Sequence, residues 1–190
     1  MTYLPQPGIQ RIVEVASRKG VTLDIRHGLH STHNAEETAA ALSVGVGQIV
    51  ETLVFVATRG VGRLVPVICL VSGRNQVDLS RLAAVSGETT IREATGREAR
   101  DLMGYAAADM PPFGHSREVP IVMDQDLSQY EWVWAATGTP GSVLRVGPRT
   151  LRVLSNALVA PVARASWIGG ANVGTARREP RLQLAAATGA

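Results

Sequence analysis

Cysteine is almost missing from this sequence of 190 residues: Cys69 stands alone, so neither an intramolecular disulfide nor a thiolate cluster for a structural metal can form. Aromatic residues make up 4% and charged residues 18%. No apolar run approaches the roughly 20 residues that a membrane-spanning helix needs, so a transmembrane protein is not expected. The segment Met1-Thr2-Tyr3-Leu4-Pro5-Gln6-Pro7 has no basic stretch followed by an apolar one, and without a signal of that kind the expected location is cytoplasmic. Lysine is scarce too, with Lys19 the sole example. The formal charge of +3 is therefore carried by arginine, which suits guanidinium recognition of phosphate but also follows from codon usage in a GC-rich genome. Generic site motifs fail as well. Gly45-Val46-Gly47 and Gly60-Val61-Gly62 begin like dinucleotide fingerprints, but Val50 and Val65 occupy the third glycine's place, and there is no Walker loop, nucleophile elbow or His-Glu-x-x-His helix.

What is present is enough apolar material, 45% of the chain, to build one domain with a real core. Ile9, Ile12, Val13 and Ala16 recur at helical spacing and Gly20 follows, predicting a helix over 8–19 and a strand over 21–26. Asn34 with Glu37 makes a capping box for a helix over 35–42. Residues 49–57 form an apolar strand, Gly60 and Gly62 a turn, and 64–71 its antiparallel partner, with Pro66 marking a break or an edge. Asp78 caps a helix closed by Gly87, and Thr95 with Glu98 caps a second one reaching about Met103. A Gly- and Pro-rich loop over 104–115 leads to a strand at 119–123. A hairpin over 132–136 and 142–146 turns at Gly138-Thr139-Pro140-Gly141. A short helix around Leu151 and a strand at 158–162 complete an α/β or α+β domain with a mixed sheet over 1–163. Residues 164–190 show little periodicity except around Leu182 and Leu184 and are expected to be a flexible tail.

Three features invite chemistry. Cys69 lies within Val67-Ile68-Cys69-Leu70-Val71, where a thiol serves as a small core residue. His27, His30 and His33 are close enough for a metal, yet no carboxylate of ligand spacing accompanies them, and a loop in which one histidine meets a ligand is the competing reading. Glu51 shares a strand face with Ile49, Leu53 and Phe55. A carboxylate among apolar neighbours is costly unless paired, solvated or functional, which leaves a cleft or the strand's wet mouth as its place.

Five blocks then carry a resemblance: Asn34-Ala35-Glu36-Glu37-Thr38-Ala39-Ala40-Ala41-Leu42, Gln48-Ile49-Val50-Glu51-Thr52-Leu53-Val54-Phe55, Val71-Ser72-Gly73-Arg74-Asn75-Gln76-Val77-Asp78, Gly104-Tyr105 with Met110-Pro111-Pro112-Phe113-Gly114-His115, and Ala135-Ala136-Thr137-Gly138-Thr139-Pro140. In this order and spacing they resemble the YbaK/ProX family of aminoacyl-tRNA editing domains, over about residues 8–163. The resemblance implies a mixed, barrel-like sheet surrounded by helices. It further implies an aminoacyl-tRNA deacylase of translation fidelity, which takes the 3′ end of a mischarged tRNA, often a proline tRNA, and hydrolyses its ester. It implies no metal or organic cofactor, no membrane, tRNA as partner and an aminoacyl-tRNA synthetase as a further one. Carried onto this chain, it places Glu51 at the catalytic position and Thr52 beside it. Substrate contacts are expected from His30, Thr32, Thr52, Gly73, Gly104 and Tyr105, and also from Ala108, Asp109, Pro112, Phe113, Gly114 and Gly138.

Two positions depart from the family pattern. Glu51 stands where a lysine that holds the tRNA end is expected, and Ala108-Asp109 where a Gly-Gly pair lets the backbone approach the substrate. The first reverses a charge near phosphates and the second adds Cβ atoms to a contact loop. Arg74 or Arg117 is the expected spatial replacement for the lysine. Three functions stay open: a deacylase with altered specificity, a non-catalytic descendant binding tRNA or protein, and a hydrolase or binder of another small ligand with Glu51 as base or amine acceptor.

Overall fold

In the computed structural model the described residues are 7–29 and 34–164. Five helices, α1 (Pro7–Arg18), α2 (Ala35–Leu42), α3 (Leu79–Ser86), α4 (Gly96–Met103) and α5 (Pro148–Ser155), surround one sheet. Its strands are β1 (Asp24–Arg26), β2 (Ile49–Arg59), β3 (Arg63–Ser72), β4 (Arg92–Glu93), β5 (Ile121–Asp124), β6 (Val133–Ala136), β7 (Val143–Val146) and β8 (Leu158–Ala160). The order is β1-β7-β6-β2-β3-β5-β8, with β4 laid against β2. The long hairpin β2–β3 is antiparallel, while β6 joins β2 and β5 joins β3 in parallel. The sheet is mixed, as expected. It is not barrel-like, because its path is open and ends at β1 on one side and β8 on the other.

The local signals act as their chemistry requires. Asn34 Oδ1 accepts from the Glu37 amide at 2.8 Å, Asp78 caps α3, and Thr95 and Glu98 complete a reciprocal capping box. Gly87 and Gly104 close α3 and α4 in the left-handed region, whereas α2 ends at Ser43, with φ 57°. Pro66 does not break β3, which runs through it opposite Val56. On the other side of β3 the β5 ladder begins only at Ile68, so an edge is available to the residue without an N–H. The short β4 carried no sequence signal of its own.

Strand alternation gives the sheet two unlike faces. On one, Val50, Val54, Ile68, Leu70, Met123, Val133, Ala135, Leu144 and Val146 join Ile12 and Ala16 of α1, Ala99 and Met103 of α4, and Leu151 and Leu154 of α5 in a single core. On the other face the apolar residues split. Phe55, Val67, Cys69, Val71 and Val122 gather with Leu82 of α3, and Ile49, Trp134 and Val143 gather with Ala35, Ala39 and Leu42 of α2. Cys69 is buried, and its thiol is pushed up to about 12, chiefly by desolvation, in keeping with a core role. At the far end of the sheet, Asp124 Oδ1 accepts from the amides of Val162 and Ala163 while Asn75 Nδ2 donates to Oδ2. This ties the last described residues to the sheet.

Candidate functional site

Between the two small clusters stands Glu51. It pairs across the hairpin with Val71 of one cluster and follows Ile49 of the other by two residues, so α2 and α3 leave it uncovered. The edge of β2 is also interrupted here. The ladder to β6 covers Ile49 and Val50, and the ladder to β4 covers Phe55 and Val56, leaving the stretch between them without a strand on that side. The Ile49 carbonyl accepts from Gly73 N on the β3 side, and the Val54 carbonyl from Ala94 N on the opposite side. Peptide groups alternate along a strand, so the Thr52 N–H and C=O point into the interruption.

A pocket of about 210 Å³ occupies this place. Its walls come from the N-terminus of α2 (Asn34, Ala35, Thr38), from residues 49–53, from the 3₁₀ turn Ala107–Asp109 with Met110, from Trp134 and its two successors, and from Ser142 and Val143. Glu51 is half-buried, and its carboxyl is pushed above the ordinary range first by desolvation and then by the charges of Glu36 and Glu93. The buried Thr52 Oγ1 has no hydrogen-bond partner among the described residues. Asp109 supplies a second carboxylate from the turn. Behind two of the wall residues, Ser142 Oγ lies 3.0 Å from His27 Nδ1, and the Arg26 guanidinium lies outside the pocket, 4.6 Å from the ring centroid of Trp134.

Of the residues expected from the sequence, the structure brings Glu51, Thr52, Ala108 and Asp109 to this one pocket. The others have different surroundings. Gly104 is the left-handed cap of α4. Tyr105, Pro112 and Phe113 are buried, with Tyr105 and Phe113 in the large core. Gly73 and Gly138 permit close packing: a Cβ on Gly73 would lie 2.6 Å from that of Ala35, and one on Gly138 would lie 2.6 Å from the Tyr105 ring. Gly73 thus lets α2 settle beside the pocket. Gly114, at φ 83°, lines a second, wider cleft with Phe113, His115 and Arg117. In that cleft His115 Nε2 lies 2.9 Å from the Pro111 carbonyl, and burial pushes the imidazole's pKa down. Neither expected lysine replacement stands on the pocket wall, since Arg117 lines the wider cleft and Arg74 bonds Gln129 and lies over Tyr130. His30, Thr32 and His33 lie outside the described residues, and among those described no three His, Cys, Asp or Glu side chains form a metal-holding group. The sequence reading missed Trp134 and Ser142, because only the register across β7, β6 and β2 brings them to the pocket of Glu51.

A family model described as an aminoacyl-tRNA editing domain matches residues 30–154. The chain is 36% identical to a solved structure titled as a candidate trans-editing enzyme for prolyl-tRNA synthetase, with a TM-score of 0.74 over 85% of this chain and 100% of that one. A protein of Enterococcus faecalis, named as a proposed Cys-tRNA(Pro)/Cys-tRNA(Cys) deacylase, is 25% identical over 68% of this chain and 76% of its own length. A proline–tRNA ligase of Limosilactobacillus fermentum is 27% identical over 50% of this chain, a stretch that amounts to 17% of the ligase.

Proposed function

The chain belongs to the aminoacyl-tRNA editing domain family, and from that premise we propose that it is a cytoplasmic aminoacyl-tRNA deacylase, hydrolysing in trans the ester that joins a wrong amino acid to the 3′ end of its tRNA. The observation that carries this reading is Glu51, a half-buried carboxylate of raised pKa on the wall of an open pocket. A base works best when its pKa approaches the working pH. Glu51 takes a proton from a water as the water oxygen attacks the ester carbonyl carbon, and the carbonyl electron pair moves onto oxygen. The Thr52 N–H, facing the interrupted edge, is oriented to donate to that oxygen. When the intermediate collapses, the bond from carbon to the ribose oxygen breaks and Glu51 returns its proton there. The amino acid departs and the tRNA regains its terminal hydroxyl.

Asp109 offers a counter-charge to the α-ammonium of the aminoacyl group, while Ile49, Trp134 and Val143 give apolar walls that select by size. Two carboxylates stand where the family pattern has a lysine and a glycine, and this supports a specificity shifted toward substrates that present an amine. The relatives' names support proline tRNA as the carrier and a synthetase as the neighbouring enzyme. A non-catalytic binding role is less well supported, because the pocket is open rather than filled by side chains.

The test is a deacylation panel of mischarged tRNAs, with Cys-tRNA(Pro) and Ala-tRNA(Pro) included. At least one should be hydrolysed, and Glu51→Gln should lower kcat about 10²-fold or more while tRNA binding persists. A Glu51→Gln protein as fast as the wild type would remove Glu51 from the chemistry.

A further inference from the structure

The face of the sheet that carries Glu51 continues sideways into a strip of alternating arginine and tryptophan. Trp134 is the register partner of Ile49 on β2 and of Arg145 on β7, and Arg145 is that of Asp24 on β1. Laterally paired residues share a face, and so do Arg26 and Trp132, each two residues along its own chain from a member of this row. The side chains meet in sequence. The Arg26 guanidinium lies 4.6 Å from the Trp134 ring centroid, and that of Arg145 lies 6.0 Å from Trp134 and 5.0 Å from Trp132. Trp134 is only 4% exposed, sealed between the pocket and its neighbours, whereas Trp132 is 43% exposed. Arg145 Nε is 2.8 Å from Asp24 Oδ2. Arg26 is exposed and has no carboxylate partner among the described residues. The strip thus begins at the pocket wall, carries one unneutralised cation and ends on a solvent-facing indole.

We propose that this strip, through Arg26 and Trp132, is the subsite for the unpaired nucleotides that precede the terminal adenosine of the substrate tRNA. An indole face stacks a base whatever its identity, and a guanidinium meets the phosphate. The strip answers a difficulty raised by the pocket itself, where two carboxylates repel a polyanion: the cation is displaced sideways, to where the phosphates would pass. The proposal rests on the deacylase reading, and its test separates the two.

Deacylation of a mischarged tRNA is compared with deacylation of the same amino acid esterified to adenosine alone, which lacks the preceding nucleotides. Trp132→Ala and Arg26→Ala should each raise KM for the tRNA about fivefold or more, leave its kcat unchanged and leave the adenosine ester unaffected. Trp132→Phe should restore most of the loss. In parallel, fluorescence anisotropy of a labelled, unacylated oligonucleotide ending in CCA should report binding that weakens with salt and weakens again in Trp132→Ala. Equal effects of the variants on both esters, or none on either, would overturn the subsite. So would an oligonucleotide that the wild type does not bind, including the case where a synthetase binds instead and Trp132→Ala blocks it. If the wild type hydrolyses neither ester but binds the oligonucleotide through Trp132, the deacylase reading fails and the subsite stands.

Discussion

The two faces of the sheet differ in continuity rather than in composition. One is a single uninterrupted core beneath α1, α4 and α5, and the other is two small clusters with a carboxylate between them. The contrast separates two tasks within the same strand. Val50 and Val54 of β2 hold the fold together on one side, while Glu51, between them in sequence, faces the other way into a pocket. A chain that filled both faces equally well would have no place for a ligand. This one leaves uncovered the short stretch that neither α2 nor α3 reaches.

That contrast can be broken most severely from the continuous side. Leu70→Ala, at a fully buried position of the large core, should cost about 2–5 kcal/mol, measured by denaturant unfolding. On the interrupted side, Glu51→Leu should leave unfolding unchanged or raise stability by about 1 kcal/mol, since an apolar group replaces a half-desolvated acid, while deacylation is lost. A Glu51→Leu protein that melts far below the wild type would mean that the carboxylate is structural. A smaller effect tests charge. Glu51→Lys should strengthen tRNA binding several-fold at low salt, by about 1 kcal/mol or less after screening, and the gain should shrink as salt rises.

The finest distinction lies in pH. Glu51 is raised by desolvation and Glu98 is lowered to about 2 by Arg92 and the Thr95 cap, so their contributions run in opposite directions. The raised group gives stability that is present below its unfolded pKa of 4.5 and is lost as pH rises through its folded value. The lowered group gives stability that is present above 4.5 and is lost as pH falls toward 2. The difference in stability between wild type and Glu51→Gln should therefore move against the wild type on raising pH from 4.5, and that between wild type and Glu98→Gln should move in its favour as pH rises from about 2 toward 4.5. Paired chemical denaturation across pH 3–7 checks both signs; parallel curves would remove the difference in environment.

Short-range chemistry made much of this fold legible. Asn34, Asp78 and Thr95 announced their helices through an oxygen and a fixed offset, and Gly60 and Gly62 announced the β2–β3 turn. Glu51 was visible as a carboxylate in the wrong company. Register was not legible, and the site depends on it: Trp134 reaches Ile49, and Arg26 reaches Trp134, only because β6, β7 and β1 line up beside β2. Two glycines have a packing role that the chain alone does not show: a Cβ on Gly73 would run into the Ala35 methyl, and one on Gly138 into the Tyr105 ring.

The interrupted edge of β2 has a colloidal consequence. A strand edge with free N–H and C=O groups is a template on which another chain can add a strand, and proteins protect such edges against aggregation. Here the interruption is only a few residues long, bounded by β6 and β4, and faced by a 3₁₀ turn ending in Asp109. A turn of that kind cannot extend a ladder, and its charge disfavours an apolar visitor. The opening therefore gives a visiting β-strand no continuous ladder to join, although the same few residues leave the Thr52 N–H and C=O without a strand partner on that side.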